Sequence, residues 1–196
     1  MKRKLFILTI SLAAILAACD KTLEDFVNPA QDDGYRTYTI KKGEQYSYSL
    51  TSKFKDTEMK FKVIFDNSAI YSTADPGNQI DINKLYGFSD CGKDHHTASA
   101  RFGWRWSNDS LRLFAYCYKD AVMTFKELST VEIGKEHDCS ILISDTNYIF
   151  TLNGKVDTMA RGCDVTTGVR TRLFPFFGGD EMAPHDVNIK IKETSK

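Results

Sequence analysis

From about residue 35 onward, polar and apolar residues alternate along most of this chain, and runs with helical spacing are scarce. A period of two predicts strands with one face buried. Met59, Phe61, Val63 and Phe65 alternate with polar neighbours before the run turns apolar, as in a strand entering a core. The clearest pair is 100–106 and 111–118, aromatic-rich segments flanking the polar connection Ser107-Asn108-Asp109-Ser110, which predicts an antiparallel hairpin. Tyr35 to Lys41 and Gln45 to Thr51 flank Lys42-Gly43-Glu44, predicting a second hairpin. The stretch 67–97, rich in Asp, Asn, Gly and Ser, reads as a loop. Further strands are predicted near 121–133, 139–144, 147–152, 155–160, 169–177 and 187–192. Ten or eleven short strands with almost no helix predict an all-β fold, a two-sheet antiparallel β-sandwich spanning 35–196 as a single domain.

The N-terminus has a different pattern. Lys2, Arg3 and Lys4 precede an uncharged apolar run from Leu5 to Ala18, the layout of a secretory signal and too short to span a bilayer. Leu16-Ala17-Ala18-Cys19 resembles a bacterial lipobox. Residues 1–18 are thus expected to be removed as a lipoprotein signal peptide and Cys19 to carry the lipid, anchoring the chain to a bacterial membrane in the cell envelope, facing periplasm or cell surface. Residues 19–34, containing Pro29 and the acidic run Gln31-Asp32-Asp33-Gly34, read as a tether.

Removing 1–18 leaves 23 basic against 26 acidic residues, a net charge of −3. A weakly acidic body argues against nucleic acid as a partner. Besides Cys19 there are Cys91, Cys117, Cys139 and Cys163, an even number suited to one or two disulfides in an oxidising compartment. Three pairings are open. Cys117 and Cys139, inside apolar runs, equally suit small buried hydrophobes. No two of these cysteines have the close spacing of structural zinc sites.

Asn147-Tyr148-Ile149-Phe150-Thr151-Leu152-Asn153-Gly154-Lys155 resembles the strand, Asn-Gly turn and returning strand of laminin-G and concanavalin A-like jelly rolls. The blocks 82–90, 99–104 and 174–186 are similar to those of Bacteroidetes-type lipoproteins with that fold. The resemblance implies a concanavalin A-like jelly roll. It says little about activity, because the fold serves lectins, glycosidases, lyases and adhesion modules alike.

If Leu111, Leu113, Ala115 and Cys117 face the core, then Arg112, Phe114, Tyr116 and Tyr118 face away, and Arg101 and Arg105 of the neighbouring strand join them. Such a face suits glycan, rings stacking on sugar C–H faces and guanidinium groups forking onto hydroxyls or uronate carboxylates. His95 and His96, in the titratable segment Asp90 to His96, are further ligand-binding candidates. Asp180, Glu181 and Asp186 are candidate calcium ligands, the one cofactor considered; no catalytic residue is assigned. Gly178-Gly179 lacks the Lys-Ser/Thr and helix of a phosphate loop and reads as a turn.

The reading that emerges is a membrane-tethered, non-catalytic module binding glycan or another extracellular ligand. The first alternative is a polysaccharide-active enzyme, a lyase, since lyases of this fold pair a tyrosine or histidine base with an arginine or asparagine on the uronate. The second is a structural or adhesive surface lipoprotein with a protein partner. Glycoside hydrolysis is disfavoured, because no strand presents two carboxylates on the sugar-facing side.

Overall fold

The computed structural model describes residues 33–195, so the lipobox, Cys19 and nearly all of the tether lie outside the described residues. Among the described residues, twelve strands form two six-stranded antiparallel sheets. The first sheet runs β1 (Arg36–Ile40), β12 (Val187–Glu193), β3 (Glu58–Phe65), β8 (Glu136–Ile143), β9 (Asn147–Leu152), β10 (Lys155–Ala160). The second runs β2 (Lys53–Phe54), β11 (Arg170–Leu173), β4 (Asn83–Ser89), β5 (Ala98–Ser107), β6 (Ser110–Lys119), β7 (Val122–Val131). Two short 3-10 turns, Asn67–Ala69 and Pro76–Ile80, are the only helical elements among the described residues. The all-β sandwich read from the alternation is the fold.

The core lies between the sheets and is aromatic. Phe61, Phe65 and Phe150 of the first sheet meet Phe102 and Trp104 of the second, with ring centroids 5.2–5.5 Å apart. Tilted and edge-on aromatic pairs at such distances stabilise beyond simple area burial. On β6, Leu111, Leu113, Ala115 and Cys117 point into this core and are almost wholly buried.

Two expectations need correction. First, 45–51 does not return beside β1 as a hairpin. The predicted turn forms, with the Glu44 amide donating to Lys41 O at 2.9 Å, but β1 pairs along its length with β12. The chain then crosses to the other layer, where Tyr46 bridges Phe176, and only Ile40 and Ser47 touch as a hairpin would. Lys42-Gly43-Glu44 sets a turn but not a partner, and β12 offers the apolar Val187, Ile189 and Ile191 to complete the sheet.

Second, the loop assigned to 67–97 contains β4, a central and largely buried strand. Its polarity is misleading because Asn83 and Lys84 find partners inside the fold: Asn83 Nδ2 donates to Tyr71 Oη at 2.9 Å, and Lys84 Nζ, which keeps further N–H donors, to Gly178 O at 2.8 Å. A register shift between Lys84 and Gly87 also breaks the alternation, placing the adjacent Leu85 and Tyr86 both in the core. Gly87 is required there. A Cβ on it would lie 2.1 Å from Ala100 O and 2.6 Å from Arg101 Cα, both backbone atoms. Gly87→Ala is therefore expected to cost about 1–3 kcal/mol in urea unfolding. Gly103→Ala should cost less, because its nearest obstacle at 2.4 Å is the Ile82 side chain and the nearest backbone atom, Asn83 O, lies 3.2 Å away.

Candidate functional site

The outer face of the second sheet carries the residues that alternation places there. Arg101 lies opposite Tyr116, Gly103 opposite Phe114, Arg105 opposite Arg112 and Ser99 opposite Tyr118. Ile82, Phe114 and Tyr116 form a small buried cluster on this face, with Tyr118 packed against it. Ile82 fills the space that Gly103 leaves open.

Each of the three guanidinium groups is held by the protein's own acceptors, and Arg101 is buried. Arg101 is buried and donates through Nη2 to Phe174 O at 2.8 Å. Arg105 lies 4.8 Å from the Phe114 ring centroid and donates through Nη1 to Ile80 O at 2.6 Å. Arg112 pairs with Glu127 at 2.7 Å and donates from Nε to Ser107 O at 3.1 Å. Arg101 and Arg105 therefore pin two loop segments, 174–179 and 80–82, over the sheet face.

Those segments wall a pocket of about 320 Å³. Ile80, Asp81 and Ile82 line one side, Gly179 contributes backbone only, and Met123 and Phe125 of β7 close the far side. Lys84 and Tyr116 line it from the sheet, with Lys84 Nζ 5.3 Å from the Tyr116 ring centroid. The pocket thus combines apolar walls with one carboxylate, one amine and one phenol. Volumes of this order and such a mixture are typical of small-ligand sites.

Burial, and next the charge of Arg101, push the Lys84 amine down to about 8. Burial, with a hydrogen bond to Tyr118, pushes the Tyr116 hydroxyl up, away from the range in which a phenol acts as a base near neutrality. Beyond the pocket the face carries further rings on both sides. Bridges align Tyr46 with Phe176 and Phe176 with Lys84, while Phe125 pairs with Tyr116 at the other side. Tyr46 and Phe125 are 60 % and 51 % exposed. From Tyr46 to Phe125 the face crosses six adjacent chain segments, about 24 Å at about 4.8 Å per strand.

His95 and His96 lie on the turn between β4 and β5, the His96 ring 5.2 Å from Tyr118. Burial, and then the neighbouring His96, lower the pKa of His95. The candidate calcium ligands go to different partners. Glu181 accepts from the Ala74 and Asp75 amides at 2.8 Å and from Asn78 at 2.9 Å, and Asp186 pairs with Lys41 at 2.7 Å. The Asp180 amide donates to Asp81 at 3.3 Å. Gly178 adopts a positive φ of 85° at the tight turn expected of the Gly178-Gly179 pair.

Sequence reasoning missed three features. One is Lys84, hidden in a segment taken as loop. Another is a wider hollow of about 810 Å³ at the end of the sandwich near Trp106 and Glu132. There the buried His137 hydrogen-bonds Glu132 O at 2.8 Å and Asn153 at 3.1 Å. The third is a buried ion cluster. Asp90 accepts from Arg161 Nε at 2.7 Å, Arg170 Nε at 3.0 Å and Tyr148 Oη at 3.0 Å. Beside it Cys91 and Cys163 are joined as a disulfide, whereas Cys117 and Cys139 are free and buried. Spacing carries no signal for partners 71 and 80 residues apart.

No protein-family model and no curated protein sequence matches the chain. Solved structures do match in shape. An alginate lyase, AlyC3, superposes with a TM-score of 0.55 at 9 % identity, over 82 % of this chain and 74 % of its own. A glycoside hydrolase family 16 endo-glucanase from Bacteroides ovatus gives 0.53 at 10 % identity, over 79 % and 77 %. Alginate lyase A1-II', a member of polysaccharide lyase family 7, gives 0.52 at 10 % identity, over 84 % and 82 %. At such identities the likeness establishes one thing: the chain has the jelly-roll sandwich fold shared by these carbohydrate-active proteins.

Proposed function

We propose that this protein is a glycan-binding module, exported and held at a bacterial membrane by lipid on Cys19, and that its ligand lies across the outer face of the second sheet. The observation that carries the binding reading is the pocket at Lys84 and Tyr116, on a sheet face flanked by the exposed rings of Tyr46 and Phe125. Sugar C–H faces stack on Phe125 and Tyr46, and ring hydroxyls hydrogen-bond to Asp81, Lys84 and Tyr116. The fold shared with an alginate lyase and an endo-glucanase supports the ligand class. Binding is favoured over lyase chemistry by two features: the pKa of the Tyr116 phenol is raised, and the nearby Arg101 is buried, with Nη2 donating to Phe174 O.

The test is calorimetric titration against a panel of neutral and uronate oligosaccharides. Phe125→Ala and Lys84→Met should each weaken binding more than about tenfold, since either removes a major contact in a small site. Arg101→Lys should act chiefly on stability. Binding should also weaken as pH rises through about 8, because the ammonium of Lys84 donates to the ligand and is lost there, well below the ordinary lysine range. Lys84→Met should abolish that pH dependence. No binding to any panel member, or binding indifferent to both variants, would overturn the reading.

A further inference from the structure

The turn carrying Asp94, His95 and His96 brings together three groups that an extended chain would spread to opposite sides. The Thr97 and Ala98 amides donate to Asp94 O at 2.9 and 3.1 Å, and the His96 amide donates to Asp94 Oδ1 at 2.8 Å. Ser99 Oγ donates to His95 O at 2.6 Å, and the disulfide at Cys91 holds the upstream end. So folded, the two imidazole rings lie 4.0 Å apart between centroids. His95 Nδ1 is 3.6 Å from Asp94 Oδ2, and His96 Nδ1 is 3.7 Å from Asp94 Oδ1. One ligand atom from each of the three residues falls within 4.8 Å of the others.

These separations approach those of a first coordination sphere. A tetrahedral ion with bonds near 2.0–2.1 Å spaces its ligands about 3.4 Å apart, so small rotations of the rings suffice. The side chains of Asp94, His95 and His96 are 64 %, 41 % and 67 % exposed, so an ion can reach them from solvent. Two imidazole nitrogens and a carboxylate select a borderline transition metal over calcium or magnesium, which require more oxygen ligands. The Tyr118 ring braces His96, so the ordering cost of its imidazole is partly met before any ion arrives.

We propose that Asp94, His95 and His96 form a surface site for one divalent transition-metal ion, zinc in the first instance, with the remaining coordination positions open to water or to an exogenous ligand. The site adjoins the outer face through Tyr118 and is independent of the glycan reading, because the probe is the metal alone.

Untagged full-length protein in detergent micelles, stripped with chelator, is titrated with zinc chloride by calorimetry, and with cobalt(II) while following its visible absorption. One ion per chain should bind in the micromolar range. His95→Gln and His96→Gln should each weaken binding more than about tenfold, at least the loss seen when an outer-sphere partner is removed. His185→Gln, which alters a histidine bonded to Ser68 O, should leave binding unchanged. Near-UV circular dichroism verifies that the variants remain folded. Absence of saturable binding, or binding that persists in the His95→Gln/His96→Gln double variant, would overturn the proposal.

Discussion

Asp90→Asn is expected to lower the stability of this protein by about 3–5 kcal/mol, the loss typical when one partner of a buried ion pair is removed. Asp90 is 1 % exposed, and its carboxylate is the shared counter-charge of Arg161 and Arg170, both also buried. Each arginine extends the network into backbone. Arg161 donates to Ser144 O at 3.1 Å and to Val165 O, and Arg170 donates to Thr166 O at 2.6 Å and Asp56 O at 3.2 Å. Asp90 thus orders, through two guanidinium groups, the irregular segment 161–169 that closes this end of the sandwich. Removing its charge leaves two buried cations with neutral carbonyl partners and no counter-charge, and no solvent screens them. For a domain of this size the melting temperature should fall by about 6–20 °C. Urea titrations followed by tryptophan fluorescence measure the loss directly. Asp186→Asn, which removes the exposed charge pair with Lys41 and keeps an oxygen to accept from the Lys42 amide, is the control and should change little. Equal effects of the two substitutions would show that the network is not the anchor described.

The second large effect is expected from the disulfide. Cys91 and Cys163 lie 72 residues apart in sequence, with Cα atoms 6.2 Å apart. Breaking a cross-link over so long a loop frees the unfolded chain, and the Cys91→Ser/Cys163→Ser variant should lose about 2–4 kcal/mol. The loss will not simply add to that of Asp90→Asn. The Cys91 amide donates to Asp90 Oδ1 at 2.9 Å, and Arg161 Nη2 donates to Cys163 Sγ at 3.1 Å, so both changes loosen the same segment. A double-mutant cycle should return a coupling of about 0.5–3 kcal/mol. Strict additivity would mean that bridge and ion cluster stabilise separate regions. Single replacement of Cys117 or Cys139 by alanine tests packing alone, because both thiols are buried and unbridged.

Local alternation was enough to read the sandwich and the two faces of the hairpin around Ser107 to Ser110. The period of two is imposed by the strand itself and needs no knowledge of distant residues. It failed where that period is interrupted. In β4 a bulge and a required glycine disturb the pattern, and Asn83 and Lys84 disguise a central strand as loop. The hairpin predicted for 35–51 failed for another reason. A glycine turn specifies a change of direction, whereas pairing goes to whichever apolar edge closes the sheet, here β12.

The amino-acid sequence by itself determined that Arg101, Arg105, Arg112, Phe114, Tyr116 and Tyr118 share one face, because adjacent residues in a strand must point oppositely. Only the tertiary structure decided where the arginines end. A guanidinium sits on a long flexible stem and goes to the nearest unsatisfied carbonyl or carboxylate, and loops distant in sequence supplied Phe174 O and Ile80 O. The same contacts raised the walls of the pocket that the half-buried Lys84 lines. The choice of Cys91 with Cys163 was likewise made by the three-dimensional approach of two loops, for which sequence separation holds no information.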